Sequence, residues 1–183
     1  MMIQLKNKNV LVLGLGDTGL SALRWLSNQP KQNQAALLSV ADTRAEFNTA
    51  ALKTELPKVD IHLGEYPVAL LKQADLIVIS PGIPLATPAV RAAIEAGVSV
   101  VGDIELFAQV RSKSSKVIAI TGTNGKTTVT SLVGAMCKAA RLKTIVAGNI
   151  GLPVLDTLSM ESPDVYVLEL SSYQLENDYQ LAS

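Results

Sequence analysis

One histidine and one cysteine are all that this chain of 183 residues has of either, so a His/Cys metal site cannot be assembled from it. Cys137 stands in the apolar pattern Val129, Leu132, Val133, Met136, Cys137, which reads as a packed helix face with a core thiol. His62, between Ile61 and Leu63, reads as a strand residue and not as a catalytic base. Net charge is lacking too: 16 basic residues against 16 acidic ones leave no electrostatic footprint for nucleic acid. No apolar run approaches the roughly 18 residues that a membrane span needs. Met1 to Lys6 also lacks a signal-peptide layout, so no transmembrane segment and a cytoplasmic location are expected. Repeats and low-complexity segments are missing as well. With 48% apolar residues, what remains is material for a sizeable core.

Short β-branched runs alternate with helical stretches through the first part of the chain. Strands are expected at Val10–Leu13, Ala36–Val40, Val59–Leu63, Leu76–Ser80 and Val98–Val101, with helices at Thr18–Ser27, Glu46–Leu56, Pro67–Lys72 and Pro88–Glu95 between them. The last helix has proline at its start and Gly97 as its stop. This alternation predicts an α/β fold, a Rossmann-like doubly wound parallel sheet whose strand C-termini share one ligand-facing edge. The polar stretch Arg111 to Lys116 precedes a fresh strand, which places a boundary between a domain over 1–110 and a second over 116–183. The second domain offers strands Val117–Ile120, Thr144–Ala147 and Val165–Leu170 and a helix Thr127–Ala140, the start of a P-loop α/β domain. Three strands would leave apolar runs such as Val165-Tyr166-Val167-Leu168 with an uncovered edge, so the expectation is the N-terminal portion of a longer protein.

The strand Val117–Ile120 breaks into Thr121-Gly122-Thr123-Asn124-Gly125-Lys126-Thr127-Thr128. A buried strand opening through small residues into a helix presents unpaired backbone N–H groups to a chain of phosphates. Lys126 adds a point charge, and Thr127 a hydroxyl for Mg²⁺. In the common P-loop spacing the first glycine would stand at Ile120, so this loop is a shortened variant. Gly122, Thr123, Asn124, Gly125, Lys126, Thr127 and Thr128 are the expected ATP-binding residues. Earlier in the chain, Gly14-Leu15-Gly16-Asp17-Thr18-Gly19 follows a strand and opens a helix, the setting for a pyrophosphate. Asp42 stands about where dinucleotide enzymes place the acid that holds a ribose 2′-OH. Arg44, two residues later, suits a phosphate or a base edge better than an unsubstituted ribose. Ser80-Pro81-Gly82-Ile83-Pro84 closes the fourth strand and could wall the same crevice; Gly102 to Phe107 reads as a helix start with acids in its first turn.

Taken in order, these segments, with Gly148-Asn149-Ile150-Gly151 and Leu168-Glu169-Leu170-Ser171-Ser172, resemble the Mur ligases of peptidoglycan synthesis, most closely their D-glutamate-adding branch. The shortened loop is shared by that family. The Gly102–Phe107 motif and the triplet Asp42-Thr43-Arg44 separate this branch from the one that adds L-alanine. The resemblance implies a cytoplasmic, ATP- and Mg²⁺-dependent ligase of cell wall biogenesis, and so of cell shape and cell division. Its partners would be UDP-N-acetylmuramoyl-L-alanine, ATP and D-glutamate. It implies that Gly14, Gly16, Asp17 and Thr18 lie by the UDP pyrophosphate, that Asp42, Thr43, Arg44, Ser80 and Gly82 surround the uridine, and that Asn149 and Ser171 face the muramoyl-alanine end. Lys126 and Glu169 would be catalytic, with Thr127 and Glu169 at the metal. A carbamylated lysine, a metal-binding histidine and the D-glutamate contacts would all fall beyond Ser183, so a truncated and by itself inactive portion of the ligase is expected. Three other readings stay open on sequence: an NAD-binding regulatory module, another P-loop phosphotransferase, and a stub whose sheet edge pairs with a second chain.

Overall fold

The structure is a computed structural model that describes residues 3–171 and Gln174. Ser172 and the rest of the segment 172–183 apart from Gln174 lie outside the described residues. Compactness divides the chain into two units, the first Ile3–Asp103 and the second running from Ile104.

The first unit alternates strands and helices: β1 Asn9–Leu13, α1 Asp17–Ser27, β2 Leu37–Asp42, α2 Ala50–Glu55, β3 Asp60–Leu63, α3 Val68–Gln73, β4 Leu76–Ile79, α4 Pro88–Glu95 and β5 Ser99–Gly102. A short 3₁₀ turn at Lys31–Asn33, not foreseen from sequence, lies between α1 and β2. The strands pair in parallel in the order β3-β2-β1-β4-β5. The chain therefore winds outward from β1 one way, then returns to add β4 on its other side, and the topological switch point falls between β1 and β4. β1 and β4 sit at the centre, and their uniformly buried pattern from Val10 and from Leu76 explains why both read as unbroken apolar runs. α1 turns Gly19, Ala22, Leu23 and Leu26 inward, the i, i+3, i+4, i+7 stripe of a sheet-covering helix. On α4, Pro88 takes the first turn, and the chain leaves the helix at Ala96 and Gly97 as its proline and glycine predict. α2 starts at Ala50 and not at Glu46, because Asn48 Oδ1 accepts from the Ala50 N–H at 3.1 Å and Arg44 to Phe47 are held otherwise.

In the second unit α5, Asp103–Val110, leads through the turn at Ser112–Ser115 to β6 Lys116–Ile120, α6 Lys126–Ala139, β7 Thr144–Gly148, a 3₁₀ segment Val154–Ser159 and β8 Val165–Glu169. The parallel order is β6-β8-β7. This corrects the expectation for Val165–Leu168: β8 is central and paired on both sides, so the open edges of this sheet belong to β6 and β7. Phe107 of α5 meets Tyr166 edge-on, with ring centroids 4.9 Å apart, a contact worth about 1 kcal/mol beyond its buried area.

A second correction concerns α6. Its inward face is Thr130 and Gly134, while Val129, Leu132 and Met136 are 48%, 59% and 62% exposed. The helix lies so close to β7 that a Cβ on Gly134 would come within 2.6 Å of Val146 Cγ2. Small residues lie beneath it, and Val129, Leu132 and Met136 of the apolar stripe that periodicity assigns to a core face outward, while Val133 is half-buried. Cys137 is correspondingly half-buried.

Candidate functional site

The crevice of the first unit is built by the ends of three adjacent strands. Leu13 pairs with Ala41 of β2 and with Ile79 of β4, so Gly14, Asp42 and Ser80 emerge side by side at the C-terminal edge. The three glycines of the fingerprint have separate tasks. Gly14, at φ +98°, makes the turn out of β1 and donates its N–H to Ala41 O at 2.8 Å. Gly16 has open space where a Cβ would stand, so a ligand can approach its backbone. Gly19 packs against the turn itself: a Cβ there would lie 1.9 Å from Gly14 O. Asp17 is exposed and Thr18 half-buried in the first turn of α1. The Ser80 hydroxyl is buried without a hydrogen-bond partner behind this loop, 2.7 Å from the position of a Cβ on Gly14. Gly82, like Gly16, is open.

Asp42 is 6% exposed and its carboxylate is fully engaged. Oδ2 accepts from Leu15 N–H at 2.7 Å and from one Arg44 guanidinium nitrogen at 2.8 Å; Oδ1 accepts from Arg44 Nε at 2.8 Å and Arg44 N–H at 2.9 Å. These four donors match the acceptor capacity of a carboxylate. The Arg44 side chain, through its hydrogen bonds, is the main reason that the Asp42 carboxyl is held down at about 2; burial opposes the shift, and the backbone N–H groups of Arg44 and Leu15 add to it. Because the native pKa lies below the ordinary 3.8, the stabilisation is whole above about pH 4 and is lost as pH falls toward 2. In denaturation measured against pH, the chain is expected to lose stability across that window, and Asp42→Asn to flatten this acid limb; an unchanged limb in the variant would refute the role.

Two residues of this crevice were not singled out from sequence. Phe47 lies under Arg44, whose guanidinium carbon is 4.8 Å from the ring centroid. Tyr66 is partly buried and packs against the core cluster of the first unit. Burial and, after it, the charge of Asp42 raise the Tyr66 phenol above its ordinary value. A flat cation over an aromatic three residues on was the available signal for Phe47; nothing local marks Tyr66. His62 is half-buried on the edge strand β3, paired with Ala41. A cavity of about 230 Å³ lined by Leu26, Leu37 and Val59 opens at the opposite, N-terminal end of these strands, and none of its lining side chains is among the buried polar groups without a partner.

The second unit places its chemistry at the matching edge of its own sheet. Glu169 ends β8 with Ile120 on one side and Gly148 on the other. Leu170 N–H donates to Ile120 O at 2.9 Å and Asn149 N–H to Glu169 O at 2.9 Å, so the phosphate loop and the Asn149 turn flank the same acid. A Cβ on Gly148 would meet Glu169 O at 2.4 Å. Glu169 is 2% exposed; Oε1 accepts from Asn149 Nδ2 at 3.0 Å, while Oε2 is buried without a partner. From Thr121 to Gly125 the loop is exposed, and Gly125, at φ +74°, caps α6. Lys126 Nζ donates to Gly122 O at 2.7 Å across the loop, and Thr127 and Thr128 are exposed in the first helical turn. Ser171 and Gln174 exchange a reciprocal pair, Ser171 N–H to Gln174 Oε1 at 2.8 Å and Gln174 N–H to Ser171 Oγ at 3.3 Å. The S-x-x-Q spacing is a capping-box signal present in the sequence.

An unpaired buried carboxylate oxygen is costly unless a cation or a donor satisfies it. Glu169 therefore fits a divalent ion. No cluster of three or more His, Cys, Asp or Glu occurs among the described residues. A hard cation here would draw its other ligands from phosphate and water, the usual habit of Mg²⁺. None of the helices among the described residues is long and apolar enough to cross a membrane.

Comparison with known proteins gives the family. Residues 8–102 match the family model described as Mur ligase MurD-like, N-terminal domain, and residues 120–183 that of the Mur ligase middle domain. The chain is 63% identical over 183 residues to the UDP-N-acetylmuramoylalanine–D-glutamate ligase of Methylobacillus flagellatus, covering all of this chain and 39% of that protein. It is 48% identical over 199 residues to the ligase of the same name from Thiobacillus denitrificans, covering 98% and 41%. It thus spans about two fifths of these curated relatives. Among solved structures, the UDP-N-acetylmuramate:L-alanyl-γ-D-glutamyl-meso-diaminopimelate ligase from Neisseria meningitides superposes with a TM-score of 0.51 at 20% identity, over 89% of this chain and 52% of that one, a likeness of fold.

Proposed function

The chain belongs to the Mur ligase family, and we propose that it is the part of a D-glutamate-adding ligase that grips the uridine diphosphate end of UDP-N-acetylmuramoyl-L-alanine and the phosphates of ATP. The observation that carries the reading is Glu169, a buried acid with one free oxygen at the strand end beside a phosphate loop. In the first crevice, Gly14, Gly16, Asp17 and Thr18 would receive the pyrophosphate at the start of α1, and Asp42, Thr43, Arg44, Ser80 and Gly82 would frame the uridine. With its four acceptor positions taken, the Asp42 carboxylate has none left for a ribose 2′-OH, which counts against NAD.

In the second unit, the backbone of Gly122 to Gly125 and the side chains of Lys126, Thr127 and Thr128 would cradle ATP, while Asn149 and Ser171 would face the muramoyl-alanine carboxylate. Mg²⁺ at Thr127 and Glu169 would neutralise phosphate charge. The amide-forming sequence belongs to the whole ligase. The alanine carboxylate oxygen takes the γ-phosphoryl group as ADP leaves; the amine of D-glutamate then displaces phosphate from the acyl phosphate. Lys126 would lower the repulsion between carboxylate and γ-phosphate in the first of these steps. The surroundings of such a reaction are cytoplasmic.

Calorimetric titration tests the first-unit assignment. Saturable binding of UDP-N-acetylmuramoyl-L-alanine is expected, with none of NAD, and Arg44→Ala should weaken it about tenfold through loss of a charge-assisted contact. Binding of NAD alone would return the fingerprint to dinucleotide chemistry.

A further inference from the structure

We propose that Phe47 is a positioning residue that presents one flat face of Arg44 to the ligand, so that the first unit selects for a planar, aromatic base. The inference rests on the uridine reading above and deepens it. The Arg44 guanidinium is constrained on two sides. Along its edge, Nε and a terminal nitrogen donate to the two Asp42 oxygens at 2.8 Å each, and its own N–H closes onto the same carboxylate. The guanidinium carbon stands over the Phe47 ring, 4.8 Å from its centroid. The side chain nonetheless stays 51% exposed. A guanidinium with its edge bound and one face covered has its opposite face left for contact, and such a face stacks on planar rings.

Phe47 is half-buried between β2 and α2, in the segment where the expected helical start at Glu46 gives way to an irregular turn. That turn is what brings the ring beneath Arg44. The carboxylate alone would fix the guanidinium edge and leave rotation about that edge free; the ring removes it. Order of this kind, established before a ligand arrives, lowers the entropic cost of stacking.

The experiment titrates this chain with UDP and with 5,6-dihydro-UDP, whose saturated base keeps the hydrogen-bonding groups of uracil but is no longer flat. The wild-type chain is expected to favour UDP by about fivefold, the scale of a cation–π contact. Phe47→Leu should lose most of that preference at unchanged melting temperature, and Phe47→Tyr should keep it. Arg44→Lys, which retains charge without a flat face, should lose it as well and stands in if Phe47→Leu does not fold. Equal weakening of both ligands in Phe47→Leu, or an unaltered preference, would overturn the proposal while leaving the uridine reading in place. Absence of UDP binding by the wild-type chain would remove both.

Discussion

Gly19→Ala is expected to cost the first unit about 3 kcal/mol, the upper range for overpacking a tight contact, and to cut uridine diphosphate binding by at least about tenfold. The new Cβ would stand 1.9 Å from Gly14 O, an approach that cannot be relieved by a rotamer because the obstacle is backbone. Either α1 moves off the sheet or the Gly14 turn opens, and both displace the N–H groups offered to a pyrophosphate. Gly16→Ala separates the two effects. Gly16 is extended at φ −79°, with nothing within 4 Å of its Cβ position, so stability should change by less than about 0.5 kcal/mol. A methyl group in that open space would still stand between ligand and backbone. Chemical denaturation and UDP titration of the two variants give the answer. If Gly19→Ala unfolds and binds like the parent chain, close packing of helix on turn is not what holds this crevice. If Gly16→Ala binds normally, the pyrophosphate does not pass there.

Removal of the Lys126 ammonium should weaken MgATP binding by about thirtyfold, since a charge-assisted contact to phosphate is worth roughly 2 kcal/mol. In this structure Nζ lies 2.7 Å from Gly122 O, already folded over the loop that would hold the phosphates. Glu169→Gln asks a different question of the same unit. It preserves shape, and the Asn149 Nδ2 donor still finds an oxygen, but the charge at the buried, unpartnered Oε2 is gone. ATP affinity in the presence of a chelator should be unchanged, and the gain on adding Mg²⁺ should vanish. Equal Mg²⁺ dependence in Glu169→Gln and the parent chain would strike the acid from the metal site. Full MgATP affinity in Lys126→Ala would strike the loop itself.

Most of the architecture was legible because strand and helix periods differ and because glycine and proline punctuate them. β1 and β4 read as strands for the same reason that they occupy the centre of the sheet: both faces are covered, so both faces are apolar. The phosphate loop was readable from a strand, a run of small residues and Lys-Thr-Thr, all contiguous. α6 misled, because a periodic stripe records where apolar side chains lie on a helix and not which face meets a neighbour. Gly134 and Thr130 were the informative positions, and they look weak in a hydrophobic pattern. The 3₁₀ segment at Val154–Ser159 was missed for want of a full helical period.

By itself the sequence determined that two parallel α/β units follow one another, each breaking from a strand into a glycine-bearing turn, because those signals lie within a few residues of each other. Only the tertiary structure decided which side chains meet. It placed β8 in the centre of its sheet and so set Glu169 between the ends of β6 and β7. It also joined Asp42 to Leu15, 27 residues away, and laid Arg44 over Phe47. Strand order and the pairing of distant groups depend on which buried surfaces and hydrogen bonds are satisfied together, and that is a property of the packed chain as a whole.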